Sequence, residues 1–485
     1  MSRPATDAQA AYRLLPSIDE TLRDARVVAL EARASRDLLR HFAAETLDAW
    51  RAEIAAGRLD ADRIVTLRAA GEPFVELERR VAREERRGVV RCVNATGVVL
   101  NTGLGRAPVH HEVAEAMAAA ARSYCVLEVD RETNERNQRD DHLGDLLARL
   151  TGAEAGIGVN NCAGAVLLLF NTFAGGREAI LSRGELVEIG GSFRVPDVMA
   201  RANASLVEVG TTNRTRIADY ERAIGERTGL LVKVHTSNFR VVGFTEEASP
   251  TELAELGLRR KITSALDLGS GLFEPDGAPP LAHILGGEPL VRDAVATGVD
   301  VVMFSGDKLF GGPQSGLIVG KRAAIASLRR NPIYRALRLD KVALAGLEAS
   351  AKLVLSGRAH ELPVRRMLVV TAADLKPIAD RIAARLGQIA LLRAEVVPGE
   401  SQPGSGSAPG VVLPTFVVRA RHERMSDQEL SRHLREASVP VFARIQEGAV
   451  LVDPRTLLPG DEDDLLRGFE HAAGRESTAP RRSRA

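Results

Sequence analysis

Val301-Val302-Met303-Phe304-Ser305-Gly306-Asp307-Lys308-Leu309-Phe310-Gly311-Gly312-Pro313 is the stretch on which the fold of this chain turns. An apolar, strand-like run breaks at Ser305-Gly306-Asp307-Lys308, and Gly311-Gly312-Pro313 marks a further turn. A lysine so placed sits at the carboxyl end of a strand, among small residues that leave room for a flat ring and a phosphate. Its amine can form a Schiff base with an aldehyde, and desolvation beside other cations lowers its proton affinity for that task. Ser305, three residues earlier, can donate its hydroxyl to a phosphate. Taken alone, the same pattern also describes a surface lysine in a tight turn.

Two stretches upstream complete a pattern. In Ser264-Ala265-Leu266-Asp267-Leu268-Gly269, an acidic residue ends an apolar run before Lys308. A carboxylate against a pyridine nitrogen keeps that nitrogen protonated and makes the ring an electron sink; alone, Asp267 also reads as a turn or helix-cap residue. Gly158-Val159-Asn160-Asn161-Cys162-Ala163-Gly164 lies between a strand and an apolar helix. Small residues opening a helix let backbone amides approach a phosphate, which makes Asn161, Cys162 and Ala163 candidates to bind one. The stretch is neither a Walker A sequence nor Gly-x-Gly-x-x-Gly. The order strand–small loop–helix, strand–Asp, strand–Ser-x-x-Lys is the layout of fold-type I pyridoxal phosphate (PLP) enzymes. His235, at another strand end, reads either as a residue that stacks on or bonds the ring, or as a structural histidine. Only seven of the 65 basic residues are lysines, so few others compete with Lys308.

Outward from these stretches the chain reads as α/β with three domains. Residues 1–90 form a highly charged helical domain, with apolar residues recurring at three and four between Thr21 and Ala56. Residues 91–358 form a large α/β domain with a mostly parallel sheet. Its strands are expected at 155–159, 178–181, 205–209, 230–234, 264–268, 299–304 and 315–319. Residues 359–473 form a smaller C-terminal α/β domain, with helices at 372–386, 426–437 and 462–473 and strands at 410–418 and 439–446. Residues 474–485 read as a disordered basic tail. The Gly/Ser run 401–407 reads first as a linker.

The formal charge of +1 creates no global field for a polyanion, so any nucleic acid must use local basic patches. Three isolated cysteines argue against a disulfide framework or a zinc ribbon and fit a reducing cytoplasm; no metal site is expected. No apolar run is long enough to span a membrane, and the first thirty residues lack a signal-peptide core.

Several longer stretches resemble one family, the bacterial selenocysteine synthases or L-seryl-tRNA(Sec) selenium transferases. They are NATGVVLNTGLGR (94–106), SRGELVEIGGSFR (182–194), VGTTNRT (209–215), KVHTSN (233–238), the turn 305–316, YRALRLDK (334–341) and VFARI (441–445). The similarity covers about 91–458. It implies a PLP aldimine on Lys308, loss of water from the seryl group and selenium addition to a dehydroalanyl intermediate on tRNA. It also implies selenophosphate as donor, held by Arg106, Arg335 and Arg338. Arg335 and Arg338, three apart, are expected on one helix face. The resemblance further implies seryl-tRNA(Sec) held by residues 1–90, a cytoplasmic homodecamer built from dimers, and no DNA or membrane partner. It makes 401–407 a candidate mobile loop over the site. Departures from the family pattern are Asn134, Asn137 and Gln138, and Cys162 where asparagine is common. Two rival readings share parts of this pattern. One is a PLP lyase or dehydratase acting on a small amino acid or amino sugar acid, which would need no RNA-binding arm. The other is a non-catalytic RNA-binding protein on the same fold, which would not need Lys308.

Overall fold

The computed structural model describes residues 4–85, 87–191, 193–274, 281–404 and 406–475. Ser192, Ser405 and the tail beyond 475, all part of stretches discussed above, lie outside the described residues. The chain divides into two compact units, Met1–Arg91 and Cys92–Ala485.

The first unit is helical throughout its regular structure. Its helices are Pro4–Arg13, Ile18–Arg23, Ala25–Leu30, Arg36–Ala55, Ala61–Ala69 and Phe74–Glu85. Ser17, Asp24, Ser35 and Asp60 start four of them by accepting a backbone N–H, the job a short polar side chain does best. Leu22, Leu39, Phe42, Leu77 and Val81 share one apolar core.

The second unit is built on a seven-stranded sheet. In chain order its strands are β1 (Ala155–Val159), β2 (Glu178–Ser182), β3 (Ser205–Val209), β4 (Thr228–Val234), β5 (Thr263–Gly269), β6 (Val301–Ser305) and β7 (Gly316–Gly320). Their spatial order is β1-β7-β6-β5-β4-β2-β3. The β6–β5, β5–β4, β4–β2 and β2–β3 pairs are parallel, and β7 runs antiparallel to both its neighbours. The seven expected strands are thus all present, with one antiparallel member. Val302 and Phe304 enter one core with helices Asp141–Thr151 and Lys341–Leu355. Val301 and Met303 enter the opposite core with helix Cys162–Ala174. Successive side chains of a strand face opposite ways, so a sheet covered on both faces needs the unbroken apolar runs seen here.

A second, six-stranded sheet has the order 93–95, 441–446, 449–452, 413–422, 392–404, 98–100. Helices Ala372–Leu386, Asp427–Arg435 and Asp461–Ala473 supply its apolar cover. Two expectations change here. Val93–Ala95 and Val98–Leu100, read as the start of the large domain, pair instead with strands of the C-terminal segment. Residues 401–404 are not a linker: they end the long strand Leu392–Gly404, and Ser401 is fully buried against Asp453. Composition misled because glycine and serine here answer to close packing. A Cβ on Gly404, at φ +112°, would lie 2.7 Å from the Leu100 carbonyl oxygen.

Candidate active site

The carboxyl edge of the central sheet collects the residues singled out above. β1 leads into Asn160 and Asn161. The Asn161 side chain caps helix Cys162–Ala174 by accepting the Gly164 N–H at 2.7 Å. β7 starts at the same edge, and Gly316 is required there: a Cβ would lie 2.3 Å from the Asn161 carbonyl oxygen. Ser305 closes β6, Asp267 stands near the end of β5, and His235 follows β4. The β5–β6 register shifts between Met303 and Phe304, so that Met303 faces Asp267 and Phe304 faces Gly269. Such an irregularity re-aims side chains at the end of a ladder.

Lys308 and Asp267 are both buried. The Lys308 Nζ donates to the Gly406 carbonyl at 3.1 Å. Burial pulls the amine below its ordinary proton affinity; the Arg106 charge adds to this, and Cys162, Asp267 and Asp307 oppose it. Burial pushes the Asp267 carboxyl up, against the pull of the Gly269 amide and of Lys308. Both shifts favour the neutral forms, as expected for two groups taken out of water. Asp267 Oδ1 accepts from the Gly269 N–H at 3.1 Å and lies 3.8 Å from the Cys162 thiol. That thiol is held protonated, chiefly by burial, so Cys162 enters as a weak donor rather than a nucleophile. The His235 N–H donates to the Asp267 carbonyl at 2.8 Å, and its Nε2 lies 3.6 Å from the carboxylate of buried Glu288.

Arg106 belongs to this cluster: its Nη1 is 2.7 Å from Asp307 Oδ2, at a residue held in left-handed backbone (φ +64°). Arg335 and Arg338 are arranged otherwise. Helix Pro332–Leu337 ends between them, and Arg338 is extended, so they do not share a helix face as expected. They line a separate cavity of about 360 Å³ with Glu128, Arg139, Asp140 and Tyr334. There Arg338 Nη1 lies 3.3 Å from Glu128 Oε1, and Arg139 is bonded to the same oxygen. Arg335 is exposed. The segment still reaches the cofactor edge by its backbone: the Asn160 N–H donates to the Leu337 carbonyl at 2.9 Å.

The surroundings of Lys308 fit PLP on observations of this structure alone. His235 Nε2, Ser237 Oγ, Ser270 Oγ, Ser407 Oγ and Glu288 Oε1 are buried without a hydrogen-bond partner. Buried polar groups are nearly always paired, so a cluster of exceptions points to a polar ligand. Space is kept open by glycine: a Cβ on Gly406 (φ +77°) would lie 2.6 Å from Nζ, and one on Gly269 4.0 Å away. Asp307 and Glu288 escaped the sequence reading. Asp307 could have been found as the acid beside the candidate lysine; Glu288 carries no local signal. Gly406 belongs to the run 401–407 that the resemblance put over the site, and its carbonyl meets Lys308.

Comparison with known proteins agrees with this arrangement. The family described as L-seryl-tRNA selenium transferase matches residues 92–458, and the family described as selenocysteine synthase N terminal matches 12–51. The L-seryl-tRNA(Sec) selenium transferase of Aquifex aeolicus is 46% identical over 389 residues, 80% of this chain and 85% of that protein. Its namesake from Moorella thermoacetica is 43% identical over 465 residues, 95% of this chain and 96% of that protein. A solved structure of D-glucosaminate-6-phosphate ammonia-lyase shares the fold, with a TM-score of 0.55, 23% identity, and coverage of 81% of this chain and 98% of that one. With the site geometry and nearly the whole length of these relatives matched, the chain belongs to the L-seryl-tRNA selenium transferase family.

Proposed function

We propose that this chain converts L-seryl-tRNA(Sec) to L-selenocysteinyl-tRNA(Sec) with selenophosphate as the selenium donor. The observation that carries the reading is the buried Lys308 amine at the sheet edge, with buried Asp267 beside it, inside a stretch matched to the family over 92–458. PLP bound here supplies an electron sink for the pair left when the seryl Cα–H bond breaks. Lys308 would hold the cofactor and, once free, take the Cα proton on Nζ; burial lowers its proton affinity and so favours the neutral amine that a base must be. Asp267 would hold a proton on the cofactor's ring nitrogen, Ser305 and the amides opening helix Cys162–Ala174 would hold its phosphate, and His235 would stack on the ring or bond it.

The β-hydroxyl takes up a proton and leaves as water; the donor's selenium then bonds to the same carbon while a proton returns to Cα, and water cleaves the donor's Se–P bond, releasing phosphate. The donor's oxyanion is assigned to Arg106 beside Lys308 and to Arg335 and Arg338 in their separate cavity, planar guanidinium groups that suit it, and a rearrangement must bring the two sets to one donor. For this, Arg338 must exchange Glu128 for the donor, and Arg106 must share its charge between Asp307 and the donor. Residues 1–90 recruit the tRNA by shape and backbone contacts. The working form is a cytoplasmic homodecamer built from dimers. No described helix is long and apolar enough to cross a membrane.

Incubating the purified chain with seryl-tRNA(Sec), PLP and selenophosphate, then analysing the aminoacyl group released from the tRNA, tests the proposal directly. Selenocysteine is expected; recovery of serine alone would refute it. Lys308→Ala is expected to abolish both turnover and borohydride trapping of the cofactor on the chain.

A further inference from the structure

A cavity of about 240 Å³ adjoins residues 406–408, with Ser237, Asn238, Gln402, Gly406 and Ser407 in its wall. Ser237 and Ser407 are only 1% and 2% exposed, and neither hydroxyl has a hydrogen-bond partner. Both flank glycines that border Lys308. The Gly406 carbonyl, one residue before Ser407, accepts the Lys308 N–H at 3.1 Å. A Cβ on Gly269 would lie 3.2 Å from Ser237 Oγ and 4.0 Å from Lys308 Nζ. A hydroxyl kept dry and unpaired is a cost that a bound ligand can remove.

The wall has a second property: among the described residues, no charged side chain lines it. Arg106, which acts electrostatically on Lys308, is engaged by Asp307 and lies outside the wall. A free amino acid would bring a carboxylate into this space, and a buried carboxylate without a cation is strongly disfavoured. An amino acid esterified to a ribose brings an uncharged carbonyl, which neutral hydroxyl donors satisfy. We propose that Ser237 and Ser407 form the aminoacyl subsite, binding the ester carbonyl and β-hydroxyl of the seryl group, and that the uncharged wall selects esterified over free serine. The inference deepens the proposed function and rests on it.

The test uses the full-length, PLP-loaded chain and its Ser237→Ala, Ser407→Ala and doubly substituted variants. Equilibrium binding is measured for seryl-tRNA(Sec) and for the same tRNA uncharged, with free L-serine as competitor; kcat/KM is measured for seryl-tRNA(Sec). The double variant is expected to narrow the preference for charged tRNA roughly tenfold, while its affinity for uncharged tRNA stays unchanged. The thermal midpoint of the cofactor-free chain is expected to hold or rise, because an unpaired buried hydroxyl has been removed; the single variants carry the test if the double one fails to fold. Wild-type discrimination and kcat/KM in the variants would overturn the subsite, as would a fall in midpoint with discrimination intact, the mark of a merely structural role. Free serine competing as well as the charged tRNA would overturn the selection. A wild-type chain that leaves seryl-tRNA unconverted would sink the proposed function itself, a result distinct from conversion with unaltered discrimination in the variants.

Discussion

At the scale of single residues, the decisive fact is an amine and a carboxyl buried together, each driven toward its neutral form. The sign of the lysine shift gives a prediction for the cofactor-free chain. Below the depressed folded value the amine is protonated in both folded and unfolded states, and its desolvation cost is fully present. As pH rises from that value toward the ordinary 10.5, the unfolded chain binds more protons than the folded one, and stability recovers. Lys308→Met is therefore expected to raise the stability of the cofactor-free chain at neutral pH, with the gain shrinking across that window. Urea denaturation at several pH values checks this; a gain that grew with pH would contradict the buried amine. Arg335 belongs to the same scale. Arg335→Ala is expected to leave PLP absorbance intact while lowering selenium transfer on the order of a hundredfold, the loss typical of an oxyanion contact. Single-turnover assays separate the two, and unchanged transfer would remove Arg335 from the donor site.

At the scale of elements, the site depends on where strands stop. β5 and β6 deliver Asp267 and Ser305 to one edge, and β7, running back, starts against Asn161. The end of strand Leu392–Gly404 brings Gly406 onto Lys308 from the other sheet. Gly406 has a positive φ, and a Cβ there would lie 2.6 Å from the Lys308 Nζ, so an alanine would meet backbone strain and push the amine out of place. Gly406→Ala is expected to weaken PLP binding at least about tenfold, which a loss of ~1.4 kcal/mol suffices to produce. Titrating the cofactor-free variant with PLP and following absorbance measures it; affinity equal to wild type would mean that Gly406 does not border the cofactor pocket.

At the scale of the whole molecule, the helical unit and the two-sheet unit have separate cores. A chain beginning at Cys92 is expected to fold and bind PLP but to lose most of its affinity for tRNA(Sec), since the recruiting surface is assigned to residues 1–90. Cofactor titration and tRNA binding on the truncated chain check both halves of that expectation.

The central sheet was legible because a strand buried on both faces must be an apolar run, and such runs end where the polar residues begin; Lys308, Asp267 and the loop at Asn161 stand at those ends. The family stretches extended this to the chemistry expected of Lys308 and of the arginines. What the sequence could not carry was pairing between distant segments. Strands 93–95 and 98–100 join a sheet built about three hundred residues later, and the first four residues of a glycine/serine run that reads as a linker end a strand, where Leu100 leaves no room for a side chain on Gly404. The placing of the arginines was equally hidden: the helix ends at Leu337, between Arg335 and Arg338, and both line a cavity with Glu128 apart from Arg106 on Asp307. So were the unpaired hydroxyls of Ser237 and Ser407, because a missing partner is a property of packing in space. Local order follows from short-range periodicity; the close contacts that shape the pocket depend on chain segments meeting, which only the tertiary structure decides.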